Sequence, residues 1–354
     1  MEKTWIFFFR DAKRILAPIA SPIGVLMNLL LLSLIRYQCT MIMKPFRKAL
    51  YLTCLSEMLF SAYNLVFVLT VTVQGDSYFA IVEGILGQLS RKWSIFALAG
   101  FLLFIYTSVT NNTAVYFYRY LLFCRNMKVG TVQFIFIVAA GWMVVLTYVV
   151  LCIVEGFKSP MTVETYAMLE GSEFPFDGSF KEFTNVKLAK IANICTFYGI
   201  PMVTLSYIGM ITLSLLIYFE FRRLRTLMSK EQKRTHLEIS VVLWVEAATP
   251  FVTVVIPIYF DLFKIYFSGL EFDWIAEFIW LLTLMGPSFT AVVKIVSIQS
   301  FRKWILQTAE NMFRKRLIIN LVEDSDSLPT GPETSARFQN KVGVKPPMIR
   351  TTSI

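Results

Sequence analysis

Histidine is nearly absent: there is one, His236, in 354 residues. A single imidazole cannot build the histidine-rich sites of most zinc and non-haem iron enzymes. Cysteine is sparse as well. Cys39, Cys54, Cys124, Cys152 and Cys195 form no C-x-x-C pair and no zinc spacing. Cys152 and Cys195 leave two readings open, a disulfide near the ends of two helices or two small buried hydrophobes. Charged residues are few, at 16% against roughly a quarter in soluble domains. There is no Walker loop, no nucleophile elbow and no His-Glu metal pair, so an enzyme is not expected. Neither a cofactor nor a nucleic-acid partner is expected. Residues 1–9 lack a small-residue cleavage site, so the first apolar run is expected to act as the insertion signal.

What the chain has instead is hydrocarbon. Hydrophobic residues make up 56% of it and the mean hydropathy is positive. One soluble core cannot hide that much apolar surface, so the lipid bilayer is its first partner. A helix needs roughly 20 apolar residues to cross about 30 Å of hydrocarbon. Seven runs qualify: 15–35, 49–73, 93–118, 129–154, 191–219, 239–260 and 278–298. The expected fold class is an all-α membrane protein, a seven-transmembrane helix bundle with a short amphipathic eighth helix. Several runs contain proline (Pro18, Pro22, Pro201, Pro250, Pro257, Pro287). Membrane bundles tolerate this because neighbouring helices re-satisfy the carbonyls that proline frees.

Orientation follows lysine and arginine in the short connections. One side holds Arg36, Lys44, Arg47 and Lys48, then Arg119, Arg125 and Lys128, then a basic loop with Arg222, Arg223, Arg225, Lys230, Lys233 and Arg234. The other side is acidic, with Glu155, Glu164, Glu170, Glu173, Asp177 and Glu182 in a long loop, 155–190, expected to fold over the helix ends. The expected organisation is an extracellular N-terminus (1–14), a transmembrane domain (15–299), an amphipathic juxtamembrane helix (300–318) and a disordered cytoplasmic tail (319–354). Arg10, Lys13 and Arg14, on the supposed outer side, run against this assignment. In 300–318, a stripe of Phe301, Trp304, Ile305, Thr308 and Met312 is edged by Arg302, Lys303, Arg314, Lys315 and Arg316. Such a helix lies on an anionic inner leaflet. The terminal Thr352-Ser353-Ile354 either offers a strand to a PDZ-type partner or matches that pattern by chance. An N-x-T sequon at Asn111 falls inside the third run and is read as a chance match.

Charges inside a membrane are expensive and therefore informative. Glu57, Glu246 and Lys294 all fall in the inner halves of their runs at about 1.5 Å per residue. A Lys294–carboxylate pair would offset two costs together, either as an ionic switch that changes partners when the bundle opens or as a static tie. Arg119, within Tyr116-Phe117-Tyr118-Arg119-Tyr120, reads either as an arginine snorkelling to the headgroups or as a group facing a partner.

Seven spans, an arginine closing the third, a basic third inner loop and an amphipathic eighth helix together resemble a G-protein-coupled receptor. The rhodopsin-like group fits poorly. Tyr118-Arg119-Tyr120 replaces its Asp-Arg-Tyr, the seventh run has no Asn-Pro-x-x-Tyr, and no cysteine is placed for its outer disulfide. The chain is more similar to the nematode serpentine chemoreceptors of the Str superfamily. Asn28-Leu29-Leu30-Leu31-Leu32, Ser56-Glu57-Met58-Leu59-Phe60-Ser61-Ala62-Tyr63 and Phe117-Tyr118-Arg119-Tyr120 match their first three spans. Glu246-Ala-Ala-Thr-Pro250 departs from their Gln-x-x-x-Pro, Gly286-Pro287 replaces an acidic-Pro start, and Phe301-Arg302 stands for a closing Tyr-Arg. The resemblance implies a chemosensory receptor at the plasma membrane of a sensory-neuron cilium, coupled to a heterotrimeric G protein. It implies a small-molecule ligand, an odorant or pheromone, among the outer halves of the helices. Aromatic candidates there are Phe101, Phe104, Tyr198, Tyr259 and Trp280, each equally explicable as helix packing. Arg119, Tyr120, Arg222, Arg223, Arg225, Lys233 and Arg234 would face the G protein. The competing reading is a ligand-gated cation channel subunit of inverted topology, like insect odorant receptors, which Arg10, Lys13 and Arg14 favour.

Overall fold

A computed structural model of the chain describes residues 2–38, 41–74, 77–83, 90–160, 162, 185–188, 191–224, 229–266 and 273–311. Among these, seven helices are long and apolar enough to cross a membrane. The first is α1 (Glu2–Tyr37), followed by a 3-10 turn at Met41–Phe46 and α2 (Arg47–Val66). Two strands, β1 (Val68–Gln74) and β2 (Ser77–Glu83), lead to α3 (Arg91–Phe123) and α4 (Thr131–Lys158). A third strand, β3 (Asn185–Leu188), precedes α5, which runs through Ile191–Ile194, a π-helical Cys195–Gly199 and Ile200–Leu224. The sixth, α6, is likewise built from Lys230–Pro250, a π-helical Phe251–Val255 and Ile256–Tyr266; α7 is Asp273–Ser297.

The second apolar run is not one helix. It is continuous to Val73 in sequence, yet α2 stops at Val66 and the rest becomes β1. In Val68-Leu-Thr-Val-Thr-Val five of six side chains are β-branched and stiff at χ1, which favours a pleated strand. Antiparallel pairing runs from Val68 with Glu83 to Gln74 with Ser77, and β3 adds to the far edge of β2, Tyr78 opposite Leu188. Two connections at the same end of the bundle thus join in one small sheet, an addition to the all-α expectation. Residues 163–184 of the long loop lie outside the described residues. Residues 2–14, expected as a separate segment, are helical and continuous with the first span. Residues 299–311 are helical too, while Met312, Arg314, Lys315, Arg316 and Thr352–Ile354 lie outside the described residues.

Around the bundle, α1 packs on α2 and α7, α3 touches α2, α4, α5 and α6, and α6 meets α7. The most enclosed span is α3; α4 and α5 are the most peripheral. Ile135, Phe136 and Met143 on α4 and Leu205, Ile208 and Ile211 on α5 are all exposed. In water these rows would aggregate, whereas in lipid they are the surface the solvent requires. Where α1, α2 and α7 cross, a Cβ on Gly24 would lie 2.5 Å from Ser61 Oγ, so only glycine admits this approach. Asn28, fully buried, donates from Nδ2 to the Gly24 carbonyl at 2.9 Å and to the Pro287 carbonyl at 3.2 Å.

Pro250 shows how a buried proline is accommodated. It has no N–H to give the Glu246 carbonyl four residues back. Asn112 on α3 supplies the missing donor, Nδ2 to that carbonyl at 2.7 Å, and Tyr207 on α5 donates to the next carbonyl, Ala247, at 3.0 Å. Beyond Pro250 the helix widens into its π turn. Asn112→Leu should therefore destabilise the fold by about 1–3 kcal/mol, the cost of an unsatisfied buried carbonyl. A thermal melt of the purified protein checks this; an unchanged midpoint would remove the compensating role from Asn112.

Candidate functional site

Glu57 on α2, Glu246 on α6 and Lys294 on α7 meet inside the bundle. The Lys294 ammonium lies 2.6 Å from Glu246 Oε1 and 3.3 Å from both carboxylate oxygens of Glu57, and it donates to Thr53 Oγ1 at 3.1 Å. Lys294 is 1% exposed and Glu246 4%. The sequence predicts a pair, and the structure builds a cluster in which one cation holds two carboxylates at once. Beside it is a cavity of about 60 Å³ whose wall includes Ser56, Ser108, Asn111, Thr249 and Thr290 with both glutamates. Asn111 explains its own burial. It donates from Nδ2 to Ser56 Oγ at 2.9 Å and accepts from Trp142 Nε1 at 2.8 Å, tying α2, α3 and α4 together. The sequon there is structural.

At the basic end, Arg119 is only 3% exposed. Its guanidinium lies 5.5 Å from the Phe46 ring centroid and 5.7 Å from that of Phe123, with Nη2 3.5 Å from Ser240 Oγ. A snorkelling side chain would be wet, whereas this one is packed between rings in α3–α6 contact. His236 stands in the same aromatic group, edge-on to Phe123 at 4.7 Å and Phe221 at 4.8 Å. Next to them a cleft of about 880 Å³ opens between α3, α5 and α6, lined by Arg119, Arg222, Lys233, Arg234, His236 and Trp244. Tyr120 takes Arg125 over its ring at 5.9 Å, and Arg223 pairs with Glu220 at 3.6 Å. Arg225 lies outside the described residues.

The aromatic candidates divide. Phe101 and Trp280 are in ring contact at 5.9 Å, and Phe60 joins Phe101 at 6.2 Å to Phe104 at 6.0 Å. Tyr198 stacks on Tyr148 at 6.1 Å and donates to the Val144 carbonyl at 3.0 Å, which ties α5 to α4. Tyr259 shares a 2.5 Å hydrogen bond with Thr204 in an outward-facing groove between α5 and α6. Cys152 and Cys195 form no disulfide; Cys195 Sγ instead lies 3.2 Å from the Tyr148 hydroxyl.

The family described as Serpentine type 7TM GPCR chemoreceptor Srd matches residues 13–307. The chain belongs to this family. No curated protein matches it. The matched stretch takes in all seven spans, so the protein is a multi-pass membrane protein of the nematode serpentine chemoreceptors. In this chemoreceptor Glu246, four residues before Pro250, has a physical companion, since Lys294 supplies the counter-ion that a buried acid needs. Sequence reasoning about the chemoreceptor missed the inward-facing Lys13, Asn28 and Asn64. Lys13, Ala17, Ala20, Gly24, Asn28 and Leu31 fall three or four residues apart, and all six are enclosed on one face of α1. Phasing from Gly24 and Asn28 would have turned Lys13 inward.

Proposed function

We propose that this chemoreceptor binds a small odorant or pheromone-like molecule at the sheet end of its bundle and activates a heterotrimeric G protein at its basic end. The single observation that supports this best is the contrast between the two ends. A small polar cavity of about 60 Å³ lies within the bundle, while the basic end carries an open cleft of about 880 Å³ faced by Arg119, Arg222, Lys233 and Arg234. A cleft of that size and charge suits an acidic helical segment of a signalling partner. Between the ends, Lys294 with Glu57 and Glu246 forms the ionic switch. Ligand binding favours an arrangement of α5 and α6 that widens the cleft, with hinges at the π turns beside Pro201, Pro250 and Pro257. The basic end is then cytosolic and the N-terminus outside, in the plasma membrane of a sensory cilium. The burial of Lys13 removes it from the count of loop charges that favours the inverted channel reading.

Epitope tags test the orientation and nucleotide exchange tests the coupling. An N-terminal tag should stain intact cells, a C-terminal tag only permeabilised ones, and the purified receptor should accelerate GTP exchange on a heterotrimeric G protein. An N-terminus protected from outside antibody would overturn the receptor reading in favour of the channel.

A further inference from the structure

Between α5 and α6 the outer surface of the bundle sinks into a groove of about 620 Å³, walled by Val203, Ile208, Ile211, Phe251, Val255 and Phe260. None of its lining residues is charged. Its polar feature is the hydroxyl pair of Thr204 and Tyr259, whose oxygens lie 2.5 Å apart. The third hydroxyl there, on Tyr207, already donates to the Ala247 carbonyl at 3.0 Å. Elsewhere on α5, Ser206 and Thr212 each donate at 2.8 Å to the carbonyl four residues earlier, which satisfies a hydroxyl in lipid. Thr204 turns to Tyr259 instead. Two hydroxyls hold two protons, and one O–H···O bond uses only one of them. Whichever oxygen donates, the other keeps a proton with no acceptor among the described residues.

Depth decides what can accept that proton. The span Cys195–Leu224 covers about 45 Å at about 1.5 Å per residue, the hydrocarbon core plus both interfaces. Thr204 lies about 13 Å along it from Cys195, below an interface about 5–8 Å deep. Phospholipid ester oxygens belong to that interface, and acyl chains carry no acceptor. A charged ligand would lose its hydration at this depth. A carbonyl brings an acceptor without adding a proton of its own. We propose that the groove is a binding site, apart from the interior cavity, for a small uncharged carbonyl compound, a medium-chain ketone, that enters sideways from the lipid. Its oxygen takes the remaining proton of the Thr204–Tyr259 pair, and its chain lies along Ile208, Ile211 and Phe251. An apolar lining with one polar point is the pattern of small-molecule pockets, which run to about 300–1,000 Å³. Phe251 and Val255 belong to the π turn of α6. Resting on the hinge reading above for this consequence alone, the bound ketone props that turn and changes coupling.

A diazirine-bearing analogue of 2-decanone, photolysed on the full-length protein in nanodiscs, tests the site, with 2-decanone and decane as competitors. Label should fall saturably on residues 251–263, and 2-decanone should displace it far better than decane does. The double variant Thr204→Val with Tyr259→Phe removes both hydroxyls and almost no bulk. It should weaken displacement by 2-decanone about tenfold, the loss of one hydrogen bond. Each single variant leaves one hydroxyl and should bind nearly as the parent does. Ile208 is 55% exposed, so Ile208→Trp fills the groove without crowding the core and should abolish the label. Decane displacing as well as 2-decanone, equal affinity in the double variant, or label that persists in Ile208→Trp would each overturn the proposal. GTP exchange on the same preparation separates the claims. 2-Decanone should alter exchange in the parent and not in the double variant. Saturable label with unaltered exchange supports the site and overturns the hinge consequence. Saturable label with exchange absent under every condition supports the site and overturns the receptor reading.

Discussion

Lys294→Met should be the most damaging single substitution in the bundle. It removes the one cation that lies 2.6 Å from Glu246 and 3.3 Å from Glu57 and leaves both carboxylates facing each other beside a small buried cavity with no counter-ion from Lys294. Breaking a buried ion pair from one side costs about 3–5 kcal/mol, because the abandoned charge has neither water nor partner. Surface expression and the thermal midpoint should both fall sharply. Glu57→Gln should be milder, since the shorter Lys294–Glu246 contact survives it. The neutral triple variant, Lys294→Met with Glu57→Gln and Glu246→Gln, separates a switch from a static tie. Neutral groups of similar shape should recover most of the stability. If the cluster is a switch, the recovered protein should also signal at an altered basal level; recovered stability with unchanged basal and stimulated exchange would make it a tie.

Arg119→Gln should leave a folded receptor that couples poorly. The guanidinium gives up two ring contacts, at 5.5 and 5.7 Å, worth about 0.5–2 kcal/mol each when desolvated. That is a modest loss for a bundle of seven helices, but the same group lines the cleft where the partner is proposed to insert. GTP exchange should fall by about tenfold or more, as for loss of a desolvated hydrogen-bonded charge at an interface. Arg119→Lys should not rescue it, because an ammonium cannot lie flat between Phe46 and Phe123. Arg222→Ala and Arg234→Ala, at the rim, should reduce exchange less and make it less salt-sensitive. Full exchange in Arg119→Gln would move the coupling surface away from α3.

How far each feature was legible depends on how local its cause is. Whether some twenty residues can sit in lipid is a property of those residues alone, so the seven spans and the cost of Glu57, Glu246 and Lys294 are readable in one dimension. That Lys294 would find a carboxylate follows from the same cost. That it holds two at once does not, because it depends on where α2 and α6 stand relative to α7. The strand at Val68–Gln74 was hidden by its own hydrophobicity, which satisfies a membrane-length count while its β-branched side chains satisfy a sheet. Arg119 carried two readings, and its burial depended on Phe46 from a turn more than seventy residues earlier in the chain. Tyr198 and Tyr259 read equally as pocket or packing residues in sequence; in the structure Tyr198 ties α5 to α4 and Tyr259 lines a groove between α5 and α6.

The sequence by itself determined that this chain lives in lipid, that it crosses the bilayer seven times and to which receptor superfamily it belongs, because transfer free energy and short motifs are read residue by residue. The tertiary structure alone decided which polar groups face one another. The turn of α1 that brings Lys13 inward, the proline that calls on Asn112 and the pairing of β1 with β2 all arise from distances between segments remote in the chain. Low-dielectric surroundings make those polar meetings strong, and their geometry is set only when the helices pack.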